Sequence, residues 1–259
     1  MIKKIKEFFY PKINDETRLY LLDTVRGFAV FNMILFHLFY NLVYLCGISI
    51  PFFESKAGEI WQFMICSCFI FLSGLFMNIS SHPFKRGFTV LLCSVLVTVV
   101  TLLIIPEERI IFGVLTFLGF AMLFIGAIKP LYERINPVLL LIISLILFVL
   151  FKEINSGYIS FAGIELFKLP ECFYHGYLMT FLGFTDIGFF SSDYFSFFPW
   201  IFLFTVGYAF GRIVNIRKQK ENRILRFRIP VLNFLGQRAL IIYLIHQPIL
   251  YLIVLVING

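Results

Sequence analysis

Charge is scarce in this sequence. Asp, Glu, Lys and Arg together make up 14% of its 259 residues, while 60% are hydrophobic. A soluble domain has no use for that much apolar surface, so the composition excludes the soluble classes and predicts a polytopic membrane protein. Acids are scarcer than bases, 15 against 22, which leaves a net charge of +7. No folded basic domain accompanies that charge, so a nucleic-acid partner is excluded and the charge needs a topological cause. The five cysteines form no framework. Cys66, Cys68 and Cys93 fall inside apolar runs, where a thiol acts as a small hydrophobe. Cys66-x-Cys68 lacks a second pair, so no metal site is read, and Cys46 with Cys172 is one candidate pair only. A cleavage site is also missing. The apolar run after Arg18 continues past Cys46 without small residues of the required kind, so it predicts a retained span and not a signal peptide.

What is present is a series of long apolar runs. They predict an all-α membrane protein, a polytopic helical bundle of about seven transmembrane helices (six to eight). The spans fall at roughly 20–46, 59–80, 87–105, 109–128, 136–151, 196–214 and 238–257. Segment 171–190 is aromatic and broken by Gly176, Gly183 and Asp186, so it reads as a re-entrant or interfacial piece. The organisation is a basic cytoplasmic segment, 1–17, followed by a single transmembrane domain, 18–257. The leading segment suits either a short amphipathic helix on the inner leaflet or a solvated basic lead-in.

Seven spans place the termini on opposite sides. Of the 22 Lys and Arg, 18 then lie on the side of the N-terminus; Lys56, Arg109, Lys152 and Lys168 are the 4 on the other. The positive-inside rule puts the N-terminus in the cytoplasm and the C-terminus outside, in the plasma (cytoplasmic) membrane. The long loop 152–195 then faces outward. Its acids and aromatics suit a polar acceptor bearing hydroxyls or amines, and equally a plug over the bundle mouth. Trp200 fits an interfacial anchor. Ser73-Gly74, Gly119 with Gly126, and Gly207 with Gly211 predict close helix packing.

One stripe stands out. At 100° per residue, Asp23, Arg26, Val30, Met33, His37, Asn41 and Tyr44 share about a quarter-turn of the first helix. Asp23 and Arg26, at i and i+3, can pair. A carboxylate that holds an arginine still presents its guanidinium to phosphate; the pair would equally neutralise two charges at the membrane boundary. His37 lies roughly 16 Å beyond Arg26, near mid-membrane, where ionisable groups usually face a bundle interior. The last span carries His246, Gln247 and Pro248, with His246 about 12 Å beyond Arg238. Both spans enter from the same side, so the two histidines are expected at similar depth.

These pieces resemble a known family. Asp23-Thr24-Val25-Arg26-Gly27 with Met33 and His37, and Phe69 to Gly74, are similar to the catalytic domain of heparan-alpha-glucosaminide N-acetyltransferase and its bacterial DUF1624-type multi-pass relatives. Phe112 to Leu115 with Gly119, Asp193 with Pro199-Trp200 and Gly207, and Gly236 with Tyr243 to Pro248 continue the resemblance in order, from about residue 18 to 257. It implies a transmembrane acyltransferase that takes acetyl-CoA from the cytoplasm and modifies a sugar on the far side. One departure is visible: the lysosomal enzymes look to have asparagine at the position of His37, with their active histidine later, towards the first outer loop. Here the loop Gly47 to Gly58 has no histidine, so the family's relay histidine has no counterpart at that place, and two routes stay open for His37: deprotonating the acceptor, or attacking the thioester itself to form an acyl-histidine.

Acyl transfer needs a base or nucleophile, a donor that stabilises the oxyanion and an anion site for the thioester's phosphates. Under this resemblance His37, Asn41, His246 and Gln247 are the catalytic candidates. Asp23, Arg26 and Arg238 are candidates for holding acetyl-CoA, Asp193 and Trp200 stand on the acceptor side, and no metal is called for. The implied partners are membrane lipid, acyl-CoA and a glycan or other polar acceptor of the cell envelope, with a homodimer left open. Two other readings stand beside this one: a proton-coupled small-molecule transporter that uses the stripe as a relay, and a non-catalytic membrane partner with structural histidines.

Overall fold

A computed structural model describes residues 18–161 and 163–258; the basic segment 1–17 and its expected amphipathic stretch lie outside the described residues. The element order is α1 (Tyr20–Tyr44), α2 (Lys56–Phe76), α3 (Pro83–Ile104), α4 (Val114–Arg134), α5 (Pro137–Leu150), β1 (Tyr158–Phe161), β2 (Ile164–Lys168), α6 (Tyr177–Leu182), α7 (Trp200–Ile213), α8 (Pro230–Gln237) and α9 (Ala239–Asn258). It is an all-α membrane bundle. Among the described residues α1 to α4 and the run opened by α5 are long and apolar enough to cross a membrane, and α8 with α9 forms a pair bent by 90°. The expected span 196–214 is shorter as a helix: α7 has 14 residues, about 21 Å of rise. Segment 171–190 holds only the six-residue α6, far too short to cross.

Two helix ends differ from the apolar run for identifiable reasons. The run at 109–128 becomes helical only at Val114, because Phe112 has a φ of 56° and Gly113 is extended. The Val114 N–H donates to Asp193 Oδ2 at 3.2 Å, so a carboxylate brought in from the long loop caps the helix. The same helix continues to Arg134, where Arg212 donates to the carbonyls of Tyr132 (2.5 Å), Ile135 (3.1 Å) and Glu133 (3.2 Å). A cation on the last carbonyls satisfies groups the helix itself leaves open. The long loop is built, not slack. It contains an antiparallel hairpin, β1 with β2, and Tyr194 donates to the Thr180 carbonyl at 2.5 Å. Burial pushes the Tyr194 phenol above its ordinary value, which keeps it a neutral donor.

The chain divides into two compact units, residues 18–69 with 217–258 and residues 70–216. In the second, small residues let backbones touch at Gly74 and Gly207, as the sequence patterns predict, whereas Gly126, expected with Gly119 to pack closely, meets only the Phe84 ring in ordinary contact. A Cβ on Gly74 would lie 1.9 Å from the Phe204 carbonyl oxygen, and one on Gly207 2.0 Å from that of Phe71. Gly87 and Gly119 form a looser reciprocal contact between α3 and α4, where a Cβ on either would lie 3.1 Å from the other's carbonyl oxygen. Phe117, Phe204 and Tyr208 fill the interior.

In the first unit Val30, Met33, Phe36 and Val43 pack with Phe53 and Ile65. Trp61 Nε1 donates to Asn32 Oδ1 at 3.0 Å, which ties α1 to α2 on the side away from the stripe. The closest approach is between α1 and α8. A Cβ on Gly27 would sit 1.7 Å from the Leu232 carbonyl oxygen, and one on Gly236 1.9 Å from that of Asp23. Gly27→Ala therefore forces the two backbones apart and is expected to destabilise the unit by about 1–3 kcal/mol. Thermal unfolding in detergent reads this, with Gly126→Ala as the control. There the nearest atom is a Phe84 ring carbon in ordinary contact at 3.4 Å, so its melting temperature should hold or rise. Equal losses at the two glycines would contradict the crossing.

Candidate functional site

The first turns of α1 carry an ion triad. Asp23 is buried; it accepts Arg18 Nε at 2.6 Å on Oδ2 and Arg26 Nη2 on Oδ1. Arg26 Nε donates to the Gly236 carbonyl at 2.7 Å. That carbonyl is available because α8 ends one residue later: Arg238 leaves helical geometry, and the chain turns through 90° into α9. One carboxylate between two guanidiniums leaves the triad with a net positive charge, and the bonds fix the plane of Arg26. A rigid guanidinium of this kind matches phosphate geometry.

Further along α1 and α9 are the histidines. The rings of His37 and His246 lie 4.7 Å apart, edge to face at 79°. Each is tied to its own helix: His37 Nδ1 is 2.9 Å from the Met33 carbonyl and His246 Nδ1 is 2.7 Å from that of Tyr243. A carbonyl can only accept, so Nδ1 carries the proton in each neutral ring and Nε2 bears the lone pair. Phe36 packs edge-on to His37, and Tyr243 lies against His246. His37 is half-buried, whereas His246 is only 7% exposed.

Asn41 and Gln247 complete the cluster. Gln247 Nε2 donates to Asn41 Oδ1 at 3.2 Å, and Asn41 is fully buried. Among the described residues three buried polar atoms here have no hydrogen-bond partner: Asn41 Nδ2, His246 Nε2 and Gln247 Oε1. Leaving such an atom unpaired costs about 1–3 kcal/mol, and native interiors hold few of them. A donor amide and two acceptors gathered at the histidine pair are the complement of a polar reactant, one that offers both an oxygen to be bonded and a proton to be given up.

The structure thus brings His37, Asn41, His246 and Gln247 into one cluster, with Asp23 and Arg26 nearer the start of α1. The other candidates sit elsewhere. Arg238 is at the α8–α9 bend with its guanidinium over the Phe234 ring at 3.8 Å. Tyr44, on the expected stripe, is 61% exposed. Asp193 caps α4, and Trp200 opens α7 and packs on Phe148 and Phe195 at 5.7 and 5.1 Å; both belong to the second unit. The helical stripe did not point to Arg18, since it reaches Asp23 from the residues preceding α1. Gly236 also escaped it, for its role is a backbone carbonyl; the signal was the Pro230-to-Gly236 punctuation before the last span. Among the described residues no group of three or more His, Cys, Asp or Glu could hold a metal ion.

A family model described as heparan-alpha-glucosaminide N-acetyltransferase, catalytic, matches residues 18–248. No curated protein and no solved structure matches the chain.

Proposed function

The chain belongs to the heparan-alpha-glucosaminide N-acetyltransferase catalytic family, and from that premise we propose that it is a membrane acyltransferase moving an acetyl group from acetyl-CoA to a sugar hydroxyl or amine of an envelope glycan. The observation that carries the reading is the His37–His246 pair, with both Nδ1 atoms tied to backbone carbonyls and a buried amide donor beside it. Nε2 of His37, the less buried of the two rings, is the base. It takes the proton of the acceptor hydroxyl or amine as that atom attacks the thioester carbonyl. The new C–O or C–N bond forms, the negative charge moves to the carbonyl oxygen, and Asn41 Nδ2 is the donor suited to stabilise it. Collapse breaks the C–S bond, and the proton held on His37 leaves with the CoA sulfur. Gln247 holds Asn41 Oδ1, which keeps the Asn41 amide hydrogens directed away from it. His246 packs against His37 and limits its rotation.

Arg26, clamped by Asp23 and Gly236, is the proposed grip on the donor's phosphates. The basic-residue asymmetry supports entry of acetyl-CoA from the cytoplasm, with the acceptor outside. Arg26→Lys keeps one charge but cannot hold Asp23, Gly236 and a phosphate at once. Its KM for acetyl-CoA should rise about tenfold, the worth of one charge-assisted hydrogen bond, with folding intact. An unchanged KM with reduced yield would mean that the triad is structural only.

The function itself is tested with purified protein in nanodiscs, acetyl-CoA labelled on the acetyl carbonyl and a panel of aminosugar and neutral-sugar oligosaccharides. Labelled sugar and free CoA in equal amounts are expected. Proton flux into proteoliposomes with no labelled product would instead support the transporter reading.

A further inference from the structure

Residues 222–238 contain Arg223, Arg226, Arg228 and Arg238 and no acid. Exposed apolar side chains alternate with the first three: Ile224, Phe227 and Ile229, followed on α8 by Val231 and Phe234. Arg223, Arg226 and Arg228 are themselves exposed. The backbone of the segment and the Asn233 side chain are stitched to the first turns of α1. Leu21 N–H donates to the Leu225 carbonyl at 3.0 Å, Asn233 Nδ2 to that of Tyr20 at 3.1 Å, and Ile229 N–H to Thr24 Oγ1 at 3.4 Å. The segment is therefore a fixed strap, held to α1 by these bonds and by Arg228 over the Tyr20 ring at 5.5 Å, with its apolar and basic side chains exposed.

Its orientation follows from the bend. Helix α9 has 20 residues, about 30 Å of rise, enough to cross the hydrocarbon core without help from α8. With α9 upright, a 90° bend lays α8 in the plane of the bilayer. An in-plane helix puts its apolar side chains at the acyl boundary and its cations at the headgroup phosphates.

We infer that residues 222–237 form a membrane-surface strap that seats on anionic phospholipid, with Val231 and Phe234 in the acyl boundary and Arg223, Arg226 and Arg228 on headgroup phosphates. Positive charge with no acid selects an anionic leaflet over a zwitterionic one. The exposed apolar residues distinguish a lipid surface from a soluble anion, which would leave them in water. The strap also holds Arg26 through Gly236, so the lipid face and the ion triad share one rigid element.

Two measurements on the full chain test this. In native mass spectrometry from detergent doped with equal phosphatidylglycerol and phosphatidylcholine, wild type should retain phosphatidylglycerol selectively. The triple variant R223Q/R226Q/R228Q should bind it about a hundredfold more weakly, from three juxtamembrane cations. Equal retention by both proteins, or displacement of the lipid by inorganic phosphate, would overturn the proposal. The second measurement leaves the arginines in place. Val231→Trp is reconstituted with phosphatidylcholines brominated at shallow or deep acyl positions, and the quenching of wild type is subtracted. Stronger quenching by the shallow bromine supports the in-plane strap; stronger quenching by the deep one overturns it.

Discussion

Turnover falls by at least about two orders of magnitude in His37→Ala, while acetyl-CoA binding stays close to wild type. General acid–base catalysis typically supplies 10²- to 10⁴-fold in rate, and this loss is what remains when the base is gone. His37→Gln is expected to be equally slow, because an amide can hydrogen-bond to the Met33 carbonyl but cannot accept the acceptor's proton. Lower kcat with an unchanged binding constant is the signature of a group acting in the transition state. His246→Ala sharpens the assignment. If His246 only positions its neighbour, kcat falls less than in His37→Ala and the His246→Gln variant recovers part of it. Direct proton abstraction also predicts that no acetyl group accumulates on either histidine when acetyl-CoA is supplied without acceptor. Turnover within a few-fold of wild type in both His37 variants would remove His37 from the mechanism and move the base to His246.

Asp23→Ala has the second large effect, on stability. The carboxylate is buried and is the counter-ion of both Arg18 and Arg26. Removing it leaves two guanidiniums facing each other beside a closely packed helix crossing. Breaking a buried ion pair by deleting one partner typically costs 3–5 kcal/mol. The arginine side chains are 18% and 20% exposed, so water offsets part of this and a loss of about 3 kcal/mol is expected. Thermal unfolding or urea-dependent proteolysis in detergent measures it. The double variant Arg18→Gln/Asp23→Asn should recover much of the loss, because the charge repulsion is removed. A melting temperature for Asp23→Ala equal to wild type would mean that the triad is solvated in the membrane-bound protein.

The parts of this arrangement legible in the sequence are those fixed by helical period. Asp23 and Arg26 are one turn apart, and His37 and Asn41 are another such pair on the same side; α1 turns that spacing directly into position. Parallel entry of the first and last spans foretold that His37 and His246 share a level, and their rings are in contact. What the period does not carry was not legible. Arg18 and the Gly236 carbonyl approach from chain that is not α1, and no spacing rule links them to Asp23 and Arg26. Helix α8 was missed because its eight residues were too few to form an apolar run, although Pro230 is a helix-start signal. The hairpin at 158–168 went unread inside the long loop 152–195. Its alternating Tyr158-Ile159-Ser160-Phe161 and Ile164 to Lys168 flank Gly163, with a φ of 83°, which is a local strand–turn–strand signal. Asp193 looked like an acid offered to a substrate; only the fold shows that it caps α4.

The central claim is that the histidine pair between α1 and α9 performs acetyl transfer. The most direct test is a single-turnover experiment with enzyme in excess over labelled acetyl-CoA, wild type beside His37→Gln, in the same nanodiscs and with the same sugar acceptor. The account predicts that both proteins bind the donor equally, that wild type converts it to acetylated sugar in one phase, and that His37→Gln does so at least about a hundredfold more slowly. Equal single-turnover rates for the two proteins would contradict it.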